Sequence, residues 1–418
     1  VLRSMYSAIA GLKAHQVKLD VTGNNIANVN TVGFKSSQAT FEDTLSQLMR
    51  NGSAPTGDAG GTNPAQVGLG VKVAGITTNF AQGTQQSTGR ATDFMISGDG
   101  FFVTKVGNEQ LYTRAGSFDY DGSGKIVTPD GAVLQGWMAG ATGVDTNGPI
   151  GDLTVPFGSA MTPTATTTGA VTGNLASDAA TGAEFQTQLQ MYDSLGAAHQ
   201  ISFTFTKLAA ANEWSVVGRD ENGAVVTPDG DAVAAGNQPV TLTFDPVSGK
   251  LPLAAQTMTL TPSAAMAASW PGTVSFSMAD LAQFGGKTSL APTNVDGNAM
   301  GTLQSIALSG DGTIMGVYSN NKREPIGKLA MASFANPSGL AKAGNSSYRV
   351  ADNSGQPAIG EANAGGRGSL VAGALEMSNV DLAEEFTGLI VAQRGFQANS
   401  RVITSSDEVL QDLVNLKR

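Results

Sequence analysis

The stretch Asp119-Tyr120-Asp121-Gly122-Ser123-Gly124-Lys125-Ile126-Val127-Thr128-Pro129-Asp130 holds the residues best spaced to do chemistry. Oxygen-bearing side chains at its first, third and fifth positions, glycine at the sixth, isoleucine at the eighth and an acid at the twelfth follow the order of a calcium-binding EF-hand loop. An EF-hand also needs a helix on each side. Here Tyr112–Phe118 and Val133–Trp137 read as strands, and Asp130 is shorter than the usual glutamate. The stretch therefore reads as a Gly/Asp-rich β turn, and no metal site is expected.

Other reactive groupings are weaker still. His15 and His199, the two histidines, have no nucleophile or metal partner at a recognisable spacing. Gly124-Lys125 lacks the upstream glycine and following Ser/Thr of a phosphate loop, and no G-x-S-x-G elbow occurs. Glu384 and Glu385 suit the first turn of a helix. Lys13, Lys18, Arg394 and Arg401 are scattered, as in solvated or intersubunit ion pairs. No catalytic residue and no cofactor is expected; the chain reads as something other than an enzyme.

Composition narrows the class. The chain has 418 residues, enough for two to four domains, and only 14% are charged. It holds 53 glycines, where roughly 29 would be average, a profile of β-rich domains with tight turns. A net charge of -10 argues against binding a nucleic-acid backbone. There are no cysteines, which excludes disulfides and thiolate chemistry. No apolar run approaches the ~20 residues of a membrane span, so membrane insertion is not expected. Lys13, His15 and Lys18 break up the N-terminal stretch before a secretory signal core could form, so no cleaved signal peptide is expected.

The elements that organise these residues lie at the two ends. Met5, Leu12, Leu19 and Ile26 fall seven apart, and so do Leu382, Leu389, Phe396, Ile403 and Leu410. Such heptads predict helices packed along a narrow seam. Asp381 to Leu416 read as one helix would be roughly 54 Å long, far beyond the ordinary globular helix. Companion positions are half polar (Gln16, Gly23, Asn30, Gln393, Ser400, Asp407), too weak for a lone helical hairpin but sufficient when many copies pack. Ser378 or Asn379 is expected to cap the second helix, with Asp381, Glu384 and Glu385 at its positive end.

Two long motifs make the chain recognisable. Gly23-Asn24-Asn25-Ile26-Ala27-Asn28 and Gly33-Phe34-Lys35, within LDVTGNNIANVNTVGFK, and Ser378-Asn379-Val380-Asp381 through Gln393-Arg394, within SNVDLAEEFTGLIVAQRGFQANSRV, resemble the paired end signatures of the bacterial flagellar rod and hook axial proteins. The resemblance implies a helical homopolymer whose terminal helices line a central export channel while β domains radiate outward. It implies as partners the chain itself, a distal rod protein, a hook–filament junction protein, a cap protein during assembly and the flagellar export apparatus. It places the chain in the hook of the flagellum, outside the cell.

Between the ends, 36–50 predicts a short helix through Phe41, Leu45, Leu48 and Met49. Val67, Leu69, Val71 and Val73 alternate as a strand, and Phe94–Ile96 with Phe101–Val103 predicts a hairpin about Ser97–Gly100. From about residue 148 a Thr/Ala/Gly-rich region carries at least five alternating strands. The expected fold class is mixed and mainly β. Long terminal α-helices pack together, with two antiparallel β-sandwich or barrel-like domains, the second inserted into the first. The expected layout is 1–30 with 380–418 as a helical domain and 31–70 with 364–379 as a connector. Residues 71–147 with 289–363 make a first β domain, and 148–288 the inserted one. The resemblance gives rod subunits no large insert, so the insert points to the hook side of the family, with a distal rod protein as the alternative. A secreted β-rich adhesin would explain the strands but not the paired terminal heptads.

Overall fold

The computed structural model describes residues 2–52, 54, 60–140, 143–221, 225–229, 239–253, 256–261, 270, 272–293 and 295–415. Helix α1 spans Leu2–Ala27 and α2 spans Leu382–Asn415, 34 residues long. The asparagine cluster ends α1 with its own side chains. Asn28 Nδ2 donates to Asn24 O at 2.9 Å, taking a carbonyl of the last turn, and Thr31 Oγ1 donates to Asn28 Oδ1. At the start of α2 the cap is Asp381, not Ser378 or Asn379. Its Oδ1 accepts from Ala383 N at 2.8 Å and Glu384 N at 3.3 Å.

The chain forms two compact units. The first comprises Val1–Pro156, Ile306–Gly316 and Glu324–Arg418, the second Phe157–Ser305 and Val317–Arg323. In the first unit, β1 (Ser37–Asp43), β2 (Ser46–Arg50), β3 (Ala65–Gly68) and β4 (Val71–Thr78) make two antiparallel pairs, β1 with β4 and β2 with β3. The helix expected over 36–50 is therefore wrong. The apolar spacing there is helical, but Leu45 and Met49 are exposed, and the ladder to 65–78 satisfies the backbone instead.

Next come β5 (Gln85–Ser87), β6 (Phe94–Ser97), β7 (Phe101–Val106) and β8 (Glu109–Thr113), then β9 (Asp119–Tyr120), β10 (Ile126–Val127) and β11 (Val133–Gly140). The expected β6–β7 hairpin does not form. β6 pairs with Ser369–Ala372, whereas β7 pairs with β8, β11 and Met331–Ser333. Phe94, Ile96, Phe101, Phe102 and Val103 are all buried, and the left-handed Gly98 and Gly100 send the chain from one sheet to the next. Phe101, Val103, Tyr112, Trp137 and Tyr348, from the sheet that holds β7, β8 and β11, pack together in one buried cluster.

Among the described residues the second unit contains a ten-stranded sheet around Phe203, Phe205, Trp214, Phe244 and Phe276, all buried. Most neighbours are antiparallel, as Glu184–Tyr192 with Ala198–Lys207, but Thr168–Ala176 runs parallel to Val274–Ser277 and Leu281–Phe284. The chain enters and leaves this sheet at one place, where Thr164 and Asn298 exchange backbone hydrogen bonds of 3.2 and 3.0 Å. The compositional shift near 148 precedes that neck, because Leu153 and Val155 still bury themselves in the first unit.

The Asp119–Asp130 stretch spans two turns. β9 and β10 pair, and between them Asp121 Oδ1 accepts from Ser123 N, Ser123 Oγ and Lys125 N, each at 2.8 Å. Asp130 sits at the next turn, where Asn345 Nδ2 donates to it. Asp121 and Asp130 accept from separate donors, and strands stand where an EF-hand has helices.

Candidate assembly seam and the polar clasp at its base

The two helices run antiparallel in one register. Asn25 meets Glu385, His15 meets Gly395, and Gly11 meets Asn399. A Cβ on Gly11 would come within 2.8 Å of the Asn399 amide, and one on Gly395 within 2.5 Å of the His15 ring. Small residues set this closeness, since bulky ones would hold the axes apart. Ala8, Gly11, Ala14, Thr22 and Asn25 on α1 and Ala392 and Ser406 on α2 are the buried positions.

The heptad residues flank that line. Met5, Leu12, Leu19 and Ile26 are half-buried, as are Leu389, Ile403 and Leu410, while Leu382 and Phe396 are exposed. Phe386, Ile390, Val391, Val402 and Val409 are exposed too. Towards the helix ends, Ser4, Arg401, Val402, Ser405, Ser406 and Val409 line an open groove of ≈ 420 Å³. His15 is closed in by Gly395 and by the edge of Phe41, 5.6 Å between ring centres. Its Nδ1 is buried without a hydrogen-bond partner, and burial first, then Lys18, holds its pKa below the usual imidazole value.

At the base of the seam the two motifs interlock. Asn25 Nδ2 donates to Glu385 Oε1 at 2.6 Å and to Ser37 O at 2.8 Å, while its Oδ1 accepts from Ser37 N. Asn379 Oδ1 accepts from Ser36 N at 2.8 Å, and its Nδ2 donates to the carbonyls of Asn79 and Ala81. Lys35 Nζ, wholly buried, donates to Glu376 Oε1 at 2.6 Å and Ala81 O at 2.7 Å. Gly83 N also donates to that Glu376 oxygen, and Arg114 Nη1 lies 3.5 Å from the other. Burial pushes the Lys35 ammonium and the Arg114 guanidinium below their ordinary pKa values, and Glu376 opposes the shift in both. Gly33, at φ 67°, leaves no room for a Cβ against the Ala115 backbone and donates its N–H to Glu376 O. Lys342 Nζ stands 5.3 Å over the Phe34 ring.

The remaining motif residues do different things. Ser378 Oγ accepts from Val380 N, while Gly23, Asn24, Ala27, Gln393 and Arg394 face solvent. Glu376 and Arg114 were not foreseen. Their only trace in the sequence is an acid inside the apolar run Ala374-Leu375-Glu376-Met377.

The fold is thus a pair of terminal helices joined to each other and to a β body by polar contacts at their base. Family descriptions match along the chain: "Flagella basal body rod protein" over 5–35, "Flagellar hook protein FlgE/F/G D1 domain" over 95–173, "Flagellar basal body protein FlaE D2 domain" over 152–298, and "Flagellar basal body rod FlgEFG protein C-terminal" over 371–416. The flagellar hook protein FlgE of Borreliella burgdorferi is 38% identical over all of both chains. That of Salmonella typhimurium is 35% identical over 99% of this chain and all of its own. The chain belongs to the flagellar hook protein family. Among solved structures, the Helicobacter pylori hook protein FlgE2 shares the fold (TM-score 0.51, 13% identity, 70% of this chain, all of that one). A Bacillus subtilis relative named flagellar basal-body rod protein FlgG is 32% identical over all of both chains, so length alone does not separate rod from hook.

Proposed function

We propose that this chain polymerises with itself into the tube of the hook, the flanks of its helix pair packing against neighbouring copies. The observation behind this reading is the set of large apolar side chains that α2 leaves in solvent: Phe386, Ile390, Val391, Phe396, Val402 and Val409. A helix pair that buries small residues and leaves these large ones exposed has an incomplete core, and further helices would complete it. In the tube, 1–30 with 380–418 form the wall around an export channel, and 31–70 with 364–379 form the connector. The β regions carry the outer contacts. The polymer acts as a flexible joint passing torque from rod to filament. It abuts a distal rod protein and a hook–filament junction protein, grows beneath a cap, and is supplied by the flagellar export apparatus.

Electron microscopy of the purified chain after induced polymerisation tests this. Curved tubes are expected. Straight tubes would favour the rod reading, and a persistent monomer would favour an adhesin-like role.

A further inference from the structure

We propose that His15 makes the helix seam acid-labile: tubes of this chain hold while its imidazole is uncharged and come apart when it takes up a proton. The proposal rests on the reading of the helix pair as the tube wall. His15 sits midway along α1, where Gly395 admits the ring against α2 and Phe41 of β1 closes it edge-on. Nδ1 is buried and finds no partner. A charged imidazole donates from both nitrogens and needs an acceptor at each, and no protein group here accepts from Nδ1.

The surrounding charges give no relief. Lys18, one turn further along α1, repels a second cation. On α2, Arg394 beside Gly395 is also cationic and faces solvent. On β1, Glu42 is exposed and held by Lys72 of β4 at 2.6 Å, and Asp43 is exposed. The paired helices thus favour neutral His15, whereas separated helices leave it near the ordinary 6.5. Protons then bind more readily to the open state. Seam stability is complete above that value and is lost as pH falls below it. His199, the other histidine, lies 3.5 Å from Asp193 and 3.3 Å from Glu221.

The test is pelleting of preformed full-chain tubes from about pH 7.5 to about pH 4.5, a range bracketing imidazole titration. Wild-type tubes should dissolve below about pH 6.5, and His15→Gln tubes should persist about one pH unit lower. Lys18→Gln, which removes the repelling charge, should shift the loss in the same direction by less, and it decides the matter if His15→Gln fails to assemble. Coincident curves for wild type and variants overturn this proposal alone. No tubes from wild type at neutral pH overturns the assembly reading, and this proposal with it.

Discussion

Lys35 and Glu376 lie 341 residues apart in the chain and 2.6 Å apart in the fold, and neither side chain reaches solvent. With Arg114 they place two cations against one carboxylate inside the first unit. A buried pair is costly to break, because the partner left behind keeps its desolvation penalty without its counter-charge. Glu376→Ala should therefore destabilise the first unit by about 3–5 kcal/mol. Calorimetry should show its transition fall while that of the second unit stays, and an unchanged profile would mean that water reaches Lys35.

Phe396→Asp should block tube formation and leave subunit stability nearly unchanged, since the ring is already exposed in the single chain. In the tube the carboxylate would be buried unpaired, at a cost of several kcal/mol repeated in every copy. Leu19→Asp should do the same with a larger effect on the subunit, because Leu19 is half-buried. Normal tubes from either variant would show that these positions are not interfaces.

Three helical glycines separate contacts within the subunit from contacts between subunits. Gly11→Val and Gly395→Leu meet Asn399 and His15 and should loosen the helix pair, raising amide exchange along both helices. A methyl group on Gly23 would meet nothing within 4 Å, so Gly23→Ala should stabilise α1 by about 0.8–1 kcal/mol. Should Gly23→Ala nevertheless stop polymerisation, a neighbouring copy approaches the helix there.

Because Thr164 and Asn298 already hydrogen-bond to each other, replacing 165–297 by a short Gly/Ser link should preserve the first unit. Tubes should still assemble and should lose their preferred curvature in micrographs. Loss of assembly by a fragment that remains folded would make the inserted strands part of the wall.

Calcium should leave thermal unfolding unchanged, since Asp121 Oδ1 already serves three local donors. Asp121→Ala should loosen only that turn. Micromolar calcium binding abolished by this substitution would overturn the turn assignment.

The helices were legible because a repeat of seven is local, and the strands of the second unit because alternation is local. What the sequence hid was pairing over distance. Leu45, Leu48 and Met49 carry a helical spacing, yet the backbone of 37–50 is claimed by strands between 65 and 78. Phe94–Ile96 and Phe101–Val103 look like hairpin arms, yet they do not pair with each other, and each forms ladder contacts with a strand more than two hundred residues on. The heptads marked the right helices and flanked the intramolecular line, because Gly11, Gly395 and Asn399 make that contact without apolar bulk. Lys35 lay inside a recognised motif, but its counter-ion could be found only in three dimensions.

The antiparallel register of the helices also dictates an order of events. Asn25 reaches Glu385 across 360 residues, a longer loop closure than that of Lys35 with Glu376. Contacts of such high sequence separation reward the chain last, after nearer strands have formed and shortened the effective loop. The seam can close only in a molecule that carries both segments, because each supplies one of its two helices. A chain missing either segment presents no finished helix pair.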